Sequence, residues 1–115
     1  EKAKKLAREF GLGFVRKSSV QITPCDIIVN ATSVGMTPHA DESPVPKSIL
    51  KNKIVFDAVY NPPMTKLLRD AKSVGAKIVQ GTEMYLNQAA LQSELYTGVK
   101  PKSETMRRIL EQAKG

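Results

Sequence analysis

DIIVNATSVGM, residues 26–36, is the stretch on which the reading of the whole chain turns. Ile27, Ile28 and Val29 follow one another without the apolar and polar alternation of a half-exposed strand, so they read as a strand covered on both faces. The run then ends in an amide (Asn30), two hydroxyls (Thr32 and Ser33) and a glycine (Gly35). A core has no use for that set of groups, but a strand whose end meets a ligand does.

Two more short hydrophobic runs lie downstream, KIVFDAVY (53–60) and AKIVQG (76–81). Between them MTKLLRDAKSVG (64–75) reads as a helix with Leu67, Leu68, Ala71 and Val74 on one face and Gly75 as its stop. Residues 37–48 read as a loop broken by Pro38, Pro44 and Pro46, with one helical turn at KSILK (47–51). TEMYLNQAALQSELYTG (82–98) is a helix ending at Gly98, and a last helix starts near Ser103 with Met106, Ile109, Leu110 and Ala113 on one side. At the amino end, Ala3, Leu6, Ala7 and Phe10 give a helix that stops at Gly11; LGFV (12–15) follows as a short strand, then the polar stretch RKSSVQ (16–21). That helix opens without a capping residue and without an initiator methionine, so the remainder of a first unit is expected upstream.

Strands alternating with helices, each strand a nearly continuous hydrophobic run, predict an α/β fold: a Rossmann-like doubly wound, mainly parallel sheet with helices on both faces. Residues 26–32, 53–59 and 76–80 should be parallel neighbours. Ligands in such sheets bind beyond the carboxyl ends of the strands. The segments to search are therefore NATSVGM, DAVYNPP and QGTEM, the second carrying Asp57 and Tyr60 and the third Gly81 and Met84. On the helix after Gly81, positions 84, 88, 91 and 95 share a face, and Gln88 interrupts the Met84, Leu91, Leu95 stripe. A buried amide needs partners. Gln88 therefore either caps a backbone group in the core or hydrogen-bonds the hydroxyls of a small polar substrate.

Composition narrows the function classes. With 115 residues, 41% hydrophobic and 25% charged, the chain suits a single globular domain. No apolar run approaches the roughly 20 residues needed to cross a bilayer, and no leader pattern is present, which predicts an intracellular protein with no membrane partner. Cys25 is alone, so neither an internal disulfide nor a zinc site is expected. Eighteen basic against eleven acidic residues give +7 and raise the alternative of a basic, non-catalytic nucleic-acid-binding module. The basic residues are scattered along every predicted helix, and the six aromatics fall mostly in apolar runs. Solvated helix faces that attract a polyanionic small molecule explain the charge better than a DNA track. NPPM (61–64) is close to the Asn-Pro-Pro-aromatic motif of amino-methyltransferases, but Met64 removes the stacking partner, and NPP reads as a turn launching the next helix. His39, in a loop of Pro, Asp and Glu, reads as surface.

Taken in order, DIIVNATSVGM, VFDAVYNPPMTKLLRDAKSVGAKIVQ and GTEMYLNQAALQSELYTG resemble the carboxyl-terminal half of the shikimate dehydrogenase family. The combination NATSxGM, DxxYNPxxTxLL and GxxMxxxQA is far more specific than any lone glycine motif. The resemblance implies an NADP-dependent oxidoreductase of aromatic amino-acid (chorismate) biosynthesis, exchanging a hydride between NADP and the ring carbon that is ketone in 3-dehydroshikimate and alcohol in shikimate. It also implies that residues 1–115 are a partial nucleotide-binding domain without its first strands, its glycine-rich phosphate loop or the upstream Asn-Arg-Thr clamp. The amino-terminal substrate domain, with the catalytic Lys and Asp, would be its partner. No catalytic residue is then expected in this chain, and no activity from the chain alone.

Carried over by position, the cofactor side comprises Thr32 and Ser33 lining the crevice, Ala58 offering its backbone near the nicotinamide, Gly81 placing a carbonyl against the carboxamide, and Met84 beside the ring. Lys2 falls where the family often has a basic residue for the 2′-phosphate. Tyr60 and Gln88 would reach the substrate. Each has a plain structural alternative: a self-capping loop for Thr32 and Ser33, a turn for Gly81, core for Met84, a solvated lysine for Lys2. The location implied is cytoplasmic, or plastid in a plant, and a relative acting on quinate is a further alternative.

Overall fold

The computed structural model of the chain describes residues 1–16, 19 and 24–113. Its elements, in order, are α1 (Lys2–Glu9), β1 (Ile27–Asn30), a 3-10 turn (Lys47–Ile49), β2 (Ile54–Asp57), α2 (Lys66–Ser73), β3 (Lys77–Val79), α3 (Gly81–Thr97) and α4 (Ser103–Ala113). The strands form one sheet in the order β1-β2-β3. Both pairings are parallel, with Ile27 opposite Ile54, Asn30 opposite Asp57 and Val55 opposite Ile78. This is the α/β, parallel, Rossmann-like arrangement that the alternation of hydrophobic runs predicts.

α2 shows how the sequence specifies an element. Thr65 stands just before it with extended backbone, and its Oγ1 accepts a hydrogen bond from the Leu68 N–H at 3.3 Å, satisfying a donor that the helix leaves orphaned. Leu67, Leu68 and Ala71 recur at helical spacing and are completely buried. They meet Leu50 and Val55, and Ile28, Val45, Ile49 and Ile78 pack around that cluster. Burying a leucine side chain contributes about 1.5 to 3 kcal/mol, so Leu50, Leu67 and Leu68 dominate this small core.

The 3-10 turn in the β1–β2 connection and the helix of the β2–β3 connection touch each other, and both feed the same side of the sheet. Val55 is therefore buried, while Phe56 on the opposite face is half-buried and Ile27 and Val29 are more than half exposed. The unbroken run of β1 predicts cover on both faces. Among the described residues β1 receives it on one, because both connections that could supply apolar partners lie on that side.

Two further readings of the sequence are corrected. LGFV (12–15) is not a strand, and Leu12, Phe14 and Val15 are exposed. A run this short gains nothing as a strand without a ladder partner, and Gly13 in its middle has no side chain to pack. Most of RKSSVQ lies outside the described residues. On α3 the stripe Met84, Gln88, Leu91, Leu95 faces solvent, and the buried side carries Gly81, Thr82 and Leu86. Gln88 is consequently not a core amide. Its Nε2 donates to Gln92 Oε1 at 3.5 Å, a weak contact one turn along the same helix.

Candidate functional site

β1 and β2 both end in polar residues at the same sheet edge, Asn30 beside Asp57, and both of these are buried. Asn30 Nδ2 donates to Asp57 Oδ1 at 3.0 Å and to the Val34 carbonyl at 2.9 Å. Asp57 Oδ1 also accepts from the Val59 N–H at 3.0 Å, and Oδ2 accepts from Thr65 Oγ1 at 2.6 Å. A fully buried carboxylate is tolerated here because three donors replace its water. The network joins the NATS loop, the exit of β2 and the cap of α2 into one unit. Gly35 closes it: φ is +102°, and an added Cβ would press on Thr65 Cγ2 at 3.2 Å.

Thr32 belongs to the same loop. Its Oγ1 donates to Asn30 Oδ1 at 2.7 Å and accepts from the Val34 N–H at 3.2 Å. The hydroxyl is thus occupied in holding its own turn, and Thr32 presents to the cleft what that leaves free. Ser33 is exposed on the same turn, and its carbonyl accepts from the Met36 N–H at 3.1 Å.

Beyond these strand ends lies a cleft of about 300 Å³. Ala31, Thr32 and Met36 line it from the first strand exit, and Ala58, Tyr60 and Asn61 from the second. Thr32, Ala58 and Tyr60, three of the residues singled out in the sequence, come together here, although 26 positions separate the first two in the chain. Met36 also lines the cleft; it stands inside the NATSVGM motif, which is the signal that could have found it.

The third strand end docks against the second. A Cβ on Gly81 would lie 2.5 Å from the Val59 carbonyl oxygen and 2.7 Å from that of Ala58, so only glycine lets α3 start here. Gln80 Nε2 adds a hydrogen bond to the Pro63 carbonyl at 3.0 Å. One turn further along α3, the Tyr85 ring stacks on that of Tyr60, with centroids 4.9 Å apart and planes 25° apart. Nothing in the sequence marks Tyr85, since it lies between Met84 and Leu86 in what reads as an apolar helix face. Met84 and Gln88 are exposed on α3. Lys2 is not brought to the cleft; it lines a groove on α1 with Lys4, Lys5 and Arg8.

The electrostatic feature of α3 is at its first turn, where Arg107 of α4 grips Glu83 through two hydrogen bonds of 2.6 and 2.9 Å. These bonds and the adjacent positive charge hold the Glu83 carboxyl below its ordinary pKa, partial burial opposing them, and they raise that of Arg107. Among the described residues no group of three His, Cys, Asp or Glu side chains is placed to hold a metal ion.

Comparison with known proteins gives this geometry its relatives. The model of the shikimate 5'-dehydrogenase C-terminal domain matches residues 81–111. A shikimate dehydrogenase (NADP(+)) of an Exiguobacterium species is 39% identical over 114 residues, which are 96% of this chain and 42% of that protein. The chain thus spans about two fifths of that relative's length. Among solved structures, shikimate 5-dehydrogenase of Thermus thermophilus, in complex with NADP(H) and shikimate, superposes with a TM-score of 0.81 at 34% identity, over 96% of this chain and 42% of that one. Quinate dehydrogenase of Corynebacterium glutamicum, in complex with NAD, also gives a TM-score of 0.81, at 30% identity over 96% of this chain and 41% of its own. In motif order, in strand topology and over nearly its whole length, the chain matches the carboxyl-terminal part of the shikimate dehydrogenases.

Proposed function

We propose that this chain is the nucleotide-binding part of an NADP-dependent shikimate dehydrogenase that reduces 3-dehydroshikimate to shikimate in the cytoplasm, or in the plastid of a plant. The observation that carries the reading is the cleft at the strand ends, where Thr32, Ala58 and Tyr60 meet beside the Gly81 junction. NADP, when bound, supplies the hydride. The residues present suit the flat nicotinamide end of that cofactor. Ala31, Thr32 and Ala58 give the cleft small surfaces and Met36 an apolar one, and Met84 is exposed on α3, where it would be available to cover a ring. Tyr60 and Gln88, both exposed, are the groups free to meet the hydroxyls of a cyclic polyol acid. Ser33, exposed on the same turn as Thr32, is the further residue assigned to the cofactor side. Lys2 would serve a phosphate only through parts of the whole enzyme that these residues do not supply.

The remaining polypeptide, carrying the substrate domain, is the partner this reading requires, and the groups that move the proton would come from there. The work of the present residues is to hold cofactor and substrate in reacting geometry. A quinate-oxidising relative is the second reading, favoured by the likeness to the Corynebacterium enzyme. The test is an initial-rate assay of the full-length protein with shikimate and with quinate, each with NADP and with NAD. Preference for shikimate with NADP is the expected result; turnover of quinate alone, or of neither, would refute the assignment.

A further inference from the structure

Tyr60 lines the cleft, yet it is 44% exposed and stands beyond the end of β2, where neither strand pairing nor core packing fixes its ring. A half-exposed tyrosine is free to sample several staggered χ1 wells. What it packs on is Tyr85, through the stacked contact at 4.9 Å. Tyr85 does not itself line the cleft. It is carried by α3, and the start of α3 is tied to the same segment that bears Tyr60: Gly81 lies against the Val59 and Ala58 carbonyls, and Gln80 bonds the Pro63 carbonyl. The stack thus joins a half-exposed side chain of the cleft to an element whose position is determined.

From this we infer that Tyr85 is a positioning residue, which selects the rotamer that keeps the Tyr60 hydroxyl directed at the substrate; the inference rests on the substrate role proposed for Tyr60. Stacked aromatic pairs gain free energy beyond the area they bury, enough to hold one of about three χ1 wells. Losing the stack should dilute the productive orientation about 3- to 10-fold.

The experiment is steady-state kinetics of the full-length enzyme for Tyr85→Leu, Tyr85→Phe and Tyr60→Phe, together with their melting temperatures. Tyr85→Leu should raise the KM for shikimate about 3- to 10-fold and leave that for NADP within about twofold. Tyr85→Phe, which keeps the stack, should restore the shikimate value. A Tyr85→Leu enzyme with wild-type shikimate kinetics, alongside an impaired Tyr60→Phe, would overturn the positioning role and leave the Tyr60 assignment standing. If neither variant changes shikimate kinetics, the substrate role of Tyr60 fails and the inference fails with it. Equal losses toward shikimate and NADP with a lowered melting temperature would reduce Tyr85 to a packing residue. Ring-proton shifts of labelled tyrosine give a check independent of turnover: the Tyr60 resonances must move downfield in Tyr85→Leu as the ring current is lost, and unmoved resonances would show that no stack exists.

Discussion

A methyl group added at Gly81 would stand 2.5 and 2.7 Å from two backbone carbonyl oxygens, and neither can turn aside as a side-chain end could. Gly81→Ala should therefore displace the start of α3 and cost about 1 to 3 kcal/mol in denaturant unfolding. A variant as stable as the parent would show that this junction is looser than it looks. Thr65 is under comparable constraint, since one hydroxyl both caps α2 and donates to the buried Asp57. Thr65→Val removes both bonds and leaves a carboxylate oxygen unpaired, an expected loss of about 2 to 4 kcal/mol, whereas Thr65→Ser keeps the hydroxyl and most of the stability. Gln88 is the opposite case. Its amide is exposed and weakly bound to Gln92, so Gln88→Ala should leave the melting temperature unchanged or slightly raised. If the amide instead meets substrate hydroxyls in a cleft closed from water, kcat/KM for shikimate in the full-length enzyme falls about 5- to 150-fold. Unaltered shikimate kinetics would defeat the substrate assignment.

Among the elements, α3 and α4 are joined by the Glu83–Arg107 pair, which is nearly half exposed on both sides. Because the folded state holds the Glu83 pKa below its ordinary 4.5, the stabilisation is complete above that pH and is lost as the pH falls through the lower, folded value. Glu83→Gln should thus lower the melting temperature slightly at pH 7, by less in high salt, and cease to differ from the parent in strong acid. A difference that persisted unchanged at low pH would mean that the pair is not its source. The two sheet faces allow a similar contrast. Val29→Thr, on the exposed face, should change stability by no more than about 0.5 kcal/mol, while Val55→Thr buries a hydroxyl and should cost about 1 to 3 kcal/mol. The elements were largely legible in the sequence, because helix faces and stops such as Leu67, Leu68, Gly75 and Gly98 are local signals. Cover was not legible. Ile27 and Val29 are as apolar as Ile28, and only the tertiary path of the two connections decides which face is filled. The same limit hid Tyr85 and left Gln88 open between core and cleft, since a helical stripe shows which residues share a face and not what that face meets.

For the molecule as a whole, the sheet edge collects the candidate residues but does not enclose them. Tyr60 and Met36, which line the cleft of about 300 Å³, each remain more than two fifths exposed. Hydride transfer needs the reacting carbons held about 3 to 3.5 Å apart, with water excluded. A wall on one side cannot impose that distance. The positive charge of +7 would draw NADP phosphates or nucleic acid weakly toward the surface, but its basic groups are spread over several helices, among them Lys2, Lys4, Lys5 and Arg8 on α1 and Lys66 and Lys72 on α2. Binding to arbitrary DNA should accordingly be weak, without the steep salt dependence of a dedicated phosphate track. The purified 115-residue chain should likewise show no shikimate-dependent reduction of NADP, under conditions where the full-length enzyme turns over readily. Turnover by the chain alone, abolished by Gln88→Ala, would mean that this open cleft holds both reactants unaided, and the division of labour proposed between it and a substrate domain would be wrong.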